Sequence, residues 1–504
     1  MSRIANLSAC ALASGCLLLA GCGNGDDFDT AQQYGPDPVL PAPSIGLLPD
    51  LKVAEVVGWQ EGQTPAVPEG LVVTAYATDL ANPRTVHTLP NGDVLVVQSK
   101  APPGKPVNRP KDIIRDFIMA MAAGDRGGEK ETNLITLLRD TDRDGTVDER
   151  SDLLTGLTSP FGVAWHDDTL YVAAADAILA YPYRLGETEI DQKPTVLTPL
   201  PGGPINHHWT KDLALSPDGN FLYASVGSNS NAGERGMEAE KGRAAIWRVD
   251  RATGAAKVFA SGLRNPNGLN IHPQTGELWT VVNERDELGP NLVPDYMTSV
   301  RENGFYGWPW SYYGQHVDER VVPPRPDLVE TAMSPDYALT SHVAALGLAF
   351  TNDSAMPEAY RNGAFVGNRG SWNRNTFNGY KVIYVPFVDG KPSGMPQDVV
   401  TGFLEGDVVH GRPVGLAIDG TGALLIADDA GNTVWRVAAA DGSVTPAPIP
   451  TDRVTEQGAA DAVSPGPAPS QQQGAQPVDN APEPSQTDVA PAVGREDGAP
   501  ASAE

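Results

Sequence analysis

Cysteine is missing from this chain after residue 22: Cys10, Cys16 and Cys22 are the whole set. No disulfide framework holds the later residues, so their stability rests on packing and on any metal they bind. Basic residues are scarce too, with 36 Lys and Arg against 63 Asp and Glu and a formal net charge of −27. That balance excludes a nucleic-acid surface, which needs clustered Lys and Arg, and mainly promotes solubility. No Cys-x-x-Cys-His occurs, so the chain carries no covalent c-type haem of its own. The apolar run at residues 9–20, behind Arg3, is too short for a dependable transmembrane helix and reads as a secretory signal. Residues 451–504 lack Leu, Ile, Phe, Trp and Tyr and hold nine acids against two arginines. Such a segment buries too little apolar area to offset the entropy of ordering, and a disordered acidic tail is expected.

The signal ends in Leu19-Ala20-Gly21-Cys22, which resembles a bacterial lipobox. The resemblance implies a lipoprotein signal peptide over residues 1–21 and a lipid-modified Cys22. The alternative is an ordinary signal peptide with a chance cysteine. Residues 22–65, rich in Pro, Gly, Asp and Gln, then read as a flexible tether. The expected location is the bacterial cell envelope, facing the periplasm, with membrane contact through the lipid alone. Gly23 rather than Asp after the cysteine leans toward the outer membrane.

What the middle of the chain does have is a loose repeat, rich in turns: the whole sequence holds 53 glycines and 45 prolines. Its copies begin at Arg84, Gly162, Asp212, Gly268, Gly347 and Gly415. Each is an apolar strand, a turn of Pro, Asp or Gly type, and a second apolar strand, as in Asp212-Leu-Ala-Leu-Ser-Pro-Asp-Gly-Asn-Phe-Leu-Tyr-Ala-Ser-Val. Outer strands such as Thr433-Val-Trp-Arg-Val follow. The expectation is an all-β, six-bladed β-propeller over residues 66–440, because such units bury their faces only against neighbours. Residues 112–123 have helical spacing and sit in an insertion that would cover one end.

The densest functional signal is Arg264-Asn265-Pro266-Asn267-Gly268-Leu269, followed by Asn283-Glu284-Arg285-Asp286-Glu287 and by Gly304-Phe305-Tyr306-Gly307-Trp308-Pro309-Trp310. A second is His207-His208-Trp209-Thr210-Lys211-Asp212, just before a repeat strand. A histidine at a strand entry, with an ordinary pKa near neutrality, suits a general base. A surface histidine pair or a zinc pair are the alternatives, although adjacent residues of an extended segment point to opposite sides.

These stretches resemble the soluble quinoprotein glucose/sorbosone dehydrogenases, which use pyrroloquinoline quinone (PQQ), and the sorbosone-dehydrogenase-like branch most. The resemblance implies PQQ-dependent oxidation of a sugar or aldose, with electrons passing to an external acceptor. It places the catalytic histidine on His208, with His207 where the family has an acid and Asp212 as a substitute. It implies that His208 takes the hydroxyl proton as hydride leaves for the quinone. Arg264 and Asn265 would then touch the quinone oxygens, where placed donors stabilise the negative charge of reduction.

PQQ carries three carboxylates, and an acidic protein needs a local cationic nest for them. Arg374 and Arg412 are the main candidates by bidentate guanidinium–carboxylate pairing. Lys211 and His410 are further ones. The resemblance also implies a Ca²⁺ held by backbone carbonyls after the Arg-Asn-Pro strand, with Gly289 and Pro290 (or Arg285 and Asp286) as donors, polarising the quinone carbonyl. Separately, Asp140, Asp142, Asp144 and Asp148, with Gly145 at the sixth position, match the first half of an EF-hand-type loop, although the twelfth is Ser151. They read as a Ca²⁺-stapled β-turn, or else a solvated acidic hairpin. Trp308, Trp310, Tyr312 and Tyr313 read either as a sugar-stacking wall or as loop packing. Because propellers host many functions, the rival is a non-redox lipoprotein that binds sugar or protein, or a metal-dependent lactonase.

Overall fold

The computed structural model describes residues 28–46, 51–103, 132–351 and 354–440. The signal peptide, Cys22, the helical stretch at 112–123 and the acidic tail lie outside the described residues. So does the second of the chain's two units, residues 460–504.

The described part is nearly all β. Its one α-helix, among the described residues, is the single turn Pro326–Val329, and none of its helices is long and apolar enough to cross a membrane. Six antiparallel sheets follow one another, each begun by one of the six repeat copies. The first runs Pro83–Thr88, Val94–Gln98, Leu134–Arg139 and Glu149–Leu154. The second runs Val163–His166, Thr169–Ala173, Ala177–Pro182 and Thr195–Pro199, and the third Leu213–Leu215, Phe221–Val226, Ala245–Asp250 and Ala256–Ser261. The fourth is Pro266–Ile271, Leu278–Val282, Pro294–Ser299 and Tyr337–Ser341. The fifth is Ala345–Phe350, Gly363–Asn368, Lys381–Val388 and Gln397–Val400. The sixth takes Pro413–Ile418, Leu424–Asp428 and Thr433–Ala439, and is completed by Leu71–Ala77 from before the first sheet.

Burial explains the sequence patterns. Second strands such as Val94–Gln98 and Leu278–Val282 are buried at every residue, so they read as mostly apolar runs, broken only by Gln98 and Thr280. Outer strands such as Ala256–Ser261 are half exposed and carry polar residues. Six apolar clusters fill the spaces between successive sheets, and the one holding Tyr76, Val86, Val96 and Ala427 joins the sixth sheet back to the first. The repeat glycines sit where first strands crowd together. A Cβ on Gly347 would lie 2.1 Å from the Val414 carbonyl, and one on Gly415 2.6 Å from that of Arg84. No larger residue fits without moving a neighbouring strand.

Part of the expected tether is built into this body. Tyr34–Gly35 pairs with the outer edge of the fourth sheet, and Glu55–Val56 runs parallel to Val408–Val409. Gln33 is fully buried. Composition pointed to a linker, but the sheet edge and the loops above it supply partners that composition does not reveal.

Candidate active site

In an antiparallel hairpin, the start of the first strand and the end of the second lie at the same end. Side chains from these ends, taken from different sheets, meet one another. Arg84, at the start of the first sheet, donates from Nη1 to Asp429 Oδ2 at 2.5 Å, and Asp429 follows the second strand of the sixth sheet. Arg369, just past Gly363–Asn368, donates from Nε to the same oxygen at 2.7 Å. The Arg412 guanidinium lies beside both and 6.0 Å from the Tyr380 ring centre. Arg84 also lies 5.9 Å from the ring of Phe161 and 5.8 Å from that of Trp209, which precede the second and third sheets.

Three guanidiniums, that of Arg412 buried and those of Arg84 and Arg369 partly so, thus surround one carboxylate. Burial, with the neighbouring arginines adding to it, pushes both Arg84 and Arg412 down to about 10. Burial alone would raise Asp429, but Arg369, Arg84 and Arg412 hold it below the usual carboxylate range. Around the same mouth, Arg84 Nε, Thr85 Oγ1, Ser99 Oγ, Asn265 Oδ1, Asp429 Oδ1 and both amide atoms of Asn368 are buried without a hydrogen-bond partner among the described residues. Buried polar atoms are nearly always paired. Their concentration here, with excess positive charge, fits a polar polyanion.

The second half of the mouth centres on His208. Its Nδ1 lies 2.8 Å from the Ser228 carbonyl and 3.0 Å from Ser228 Oγ. A carbonyl only accepts, so Nδ1 carries the proton and Nε2 is the basic nitrogen. Burial first, and the nearby Arg264 charge second, hold the imidazole well below its ordinary pKa. Asn265 packs beside it across Gly227. Asp212, expected to tune His208, instead accepts the backbone N–H groups of Leu213 (2.9 Å) and Leu269 (2.8 Å), tying the third sheet to the fourth. Burial raises it to about 6.

Arg264 is buried, and its five N–H groups go to Asn231, Asn283, Glu284 and Asp286, at 2.7–3.3 Å. It therefore supplies a fixed charge beside His208 more than open donors. Asp286 also receives Asn373 Nδ2 at 3.2 Å, and His342 Nδ1 lies 3.5 Å away. Burial would raise Asp286, yet His342, Arg264 and Asn373 bring it down to about 2.

The other expected residues fall as follows. Arg374 donates to Ser341 Oγ (2.6 Å) and Asn291 Oδ1 (3.0 Å), beside the Gly289-Pro290 turn. The Gly289 carbonyl lies 3.2 Å from His342 Nε2, and that of Pro290 accepts Ser341 Oγ at 3.2 Å, so both are engaged within the loop. Lys211 is fully buried and gives its ammonium to the carbonyls of Trp209 (3.0 Å) and His208 (3.4 Å), which fixes the histidine's loop instead of facing the arginines. His410 stacks on Trp59 and meets the Gly58 carbonyl at 3.2 Å, turned from the mouth toward the N-terminal segment. Trp308, Tyr312 and Tyr313 are buried, as loop packing requires. Arg285, itself fully buried, pins their loop through the Pro309 and Ser311 carbonyls.

Carboxylate oxygens of Asp140, Asp142 and Asp148 lie within 4.8 Å of one another. Asp144 is not of this group: its carboxylate accepts the Thr146 N–H at 2.7 Å. The turn joins the third and fourth strands of the first sheet, so it sits at the end opposite the mouth.

Sequence reasoning missed Arg84, Arg369, Asp429, Ser228 and His342. A signal for the first existed. Proline opens the first strand at Pro83, Pro266 and Pro413, and an arginine lies within two residues of each: Arg84, Arg264 and Arg412.

A family model described as TrAA12-like matches residues 129–303 and 329–440. An uncharacterized protein of Borreliella burgdorferi is 28% identical over 296 residues, covering 56% of this chain and 76% of its own. Among solved structures, the iodide form of Trichoderma reesei Carbohydrate-Active Enzymes Family AA12 superposes with a TM-score of 0.60. The identity is 18%, over 78% of this chain and 100% of that one, and a calcium form gives 0.59. The holo PQQ domain of Coprinopsis cinerea pyranose dehydrogenase gives 0.58 at 18% identity, over 77% and 100% of the two chains. These likenesses carry the β-propeller fold.

Proposed function

The chain belongs to the TrAA12-like family, and on that footing we propose that it is a PQQ-dependent sugar dehydrogenase built on six blades, one per sheet. The observation that carries this is the convergence of Arg84, Arg369 and Arg412 on the carboxylate of Asp429, with Arg84 also 5.8 Å from the ring of Trp209, the residue after the oriented His208. The arginines suit the carboxylates of PQQ by charge and by planar pairing. The unpaired atoms of Asn265 and Asn368 suit its polar rim.

When bound, PQQ supplies a two-electron acceptor. The chain's residues do the rest. Ser228 fixes the His208 tautomer, so that Nε2 takes the proton of the sugar hydroxyl at the carbon being oxidised. Burial first, and Arg264 second, keep His208 uncharged before the reaction, and Arg264 sets a positive charge beside it. The Gly289 and Pro290 carbonyls, each engaged once by His342 or Ser341, would offer a Ca²⁺ their remaining lone pairs, and Asp140, Asp142 and Asp148 would hold a structural Ca²⁺ while keeping their bonds to loop N–H groups. Electrons leave to an external acceptor. The anchor at Cys22 and the periplasm-facing envelope location belong to the same proposal and are tested by radiolabelled-lipid incorporation.

The enzymatic test is titration of apo protein with PQQ and Ca²⁺, followed by dye reduction with a panel of aldoses. A shifted quinone absorbance and aldose-dependent bleaching are expected. Neither a shift nor bleaching overturns the proposal in favour of a non-redox binder.

A further inference from the structure

The N-terminal segment touches, one after another, the loops that carry the mouth's side chains. Gln33, fully buried, donates from Nε2 to the Asn291 carbonyl at 2.6 Å, and its Oε1 accepts the Ser341 N–H at 3.3 Å. Asn291 and Ser341 are also partners of Arg374. The Ser44 N–H reaches the Leu288 carbonyl at 2.8 Å, next to Gly289. Lys52 donates its backbone N–H to the Trp372 carbonyl at 3.1 Å, two residues from Arg374, and pairs with Asp407 at 2.7 Å.

Trp59 completes the series. Its indole Nε1 donates to Asp428 Oδ2 at 2.6 Å, while its ring packs on Phe403, His410 and Trp435. Asp428 is fully buried, and its other oxygen accepts the backbone N–H groups of Arg412 (2.7 Å) and Gly431 (2.8 Å). A Cβ on Gly411 or Gly431 would collide with this carboxylate, so the turn closes tightly around it. The next residue is Asp429, the centre of the arginine cluster.

We propose that residues 28–46 and 51–65 form a brace that holds the cofactor-site loops in register, with Gln33 and Trp59 as its positioning residues. The proposal rests on reading that mouth as the quinone site. Neither residue reaches the mouth itself: Gln33 acts through Asn291 and Ser341 on Arg374, and Trp59 acts through Asp428 on Arg412 and Asp429. Groups that orient a binding shell are worth a large share of its affinity, because a loosened shell loses geometry before it loses contacts.

The test uses Trp59→Phe, which keeps the ring and deletes the N–H, and Gln33→Leu in the full chain. In apo protein, amide hydrogen exchange should quicken at Arg412 and Gly431 for W59F, and at Ser341 for Q33L. The PQQ dissociation constant, read from quinone absorbance, should rise about tenfold, as expected for one lost hydrogen bond to a charged or buried acceptor. The sugar KM should stay constant. A lower melting temperature with unchanged exchange at these amides, or with an unchanged PQQ constant, overturns the brace. If the wild-type chain takes up no PQQ, the quinone reading falls, and the exchange rates alone decide the brace. Should W59F fail to fold, Q33L decides it.

Discussion

Asn265 Oδ1 and His208 Cβ each lie 2.5 Å from the point where a Cβ on Gly227 would sit. The bare backbone of one glycine therefore sets the spacing between the histidine and the asparagine of the mouth. Gly227→Ala should push the pair apart. Overpacking of this kind costs about 1–3 kcal/mol of stability, and misplacing a reacting group by about 1 Å costs about a hundredfold in rate. The expected result is a folded protein, by its melting curve, with dye reduction lowered about a hundredfold. An active G227A variant shows that the two side chains need not adjoin.

His208→Gln should bind PQQ with the wild-type absorbance shift and turn over about a hundred- to ten-thousandfold more slowly, the range for loss of a general base. Steady-state dye reduction checks the rate. An undiminished rate removes His208 from the chemistry.

The pH profile follows from the same histidine. Its active form is the neutral one, and burial with the Arg264 charge lowers its pKa well below 6.5. kcat/KM should stay level across the neutral range and fall only as pH drops through that lowered value. Arg264→Met removes the repelling charge, so the acid limb should move upward. A wild-type limb centred at 6.5 or above contradicts the assignment.

Arg369→Met deletes one of three guanidiniums from the Asp429 cluster. PQQ binding should weaken by about 1.5–3 kcal/mol, roughly ten- to a hundredfold, as for a lost charge-assisted bond. The apo melting temperature should change little, because removing the bond to Asp429 also relieves repulsion among buried like charges. Absorbance titration and calorimetry separate the two effects.

Calcium should stabilise the first sheet through Asp140, Asp142 and Asp148. At a hundred times its dissociation constant a bound ion adds about 2.7 kcal/mol, so chelation should lower the melting temperature and Asp142→Asn should abolish the calcium response. The same response in the variant would place the ion elsewhere.

The sheets were legible because their signals are local. Asp212-Leu-Ala-Leu and the turn Ser216-Pro217-Asp218-Gly219 declare a hairpin without reference to the rest of the chain, and each repeat copy opens a sheet. His208 and Arg264 were legible for a similar reason, since each stands at the head of such a hairpin. Asp429 was not: nothing in Asp428-Asp429-Ala430-Gly431 says that three arginines from the first, fifth and sixth sheets close on it. Ser228 acts through a backbone carbonyl, which any residue supplies. Lys211 and His410 are residue types that suit an anion site but turn to carbonyls of nearby loops, and only coordinates show that choice. Residues 28–46 and 51–65 misled because short strand pairings, single hydrogen bonds and one packed indole need no apolar periodicity.

Leu71–Ala77 completes the sheet whose other strands end at Ala439, so an early strand of the body waits for the last. During synthesis the sixth sheet keeps an open edge until nearly the whole domain has emerged, and an open edge is where chains pair wrongly with one another. Maturation is thereby tied to completion: a chain that stops between Arg374 and Arg412 has Arg84 and Arg369, yet neither Arg412 nor the Asp429 that gathers them.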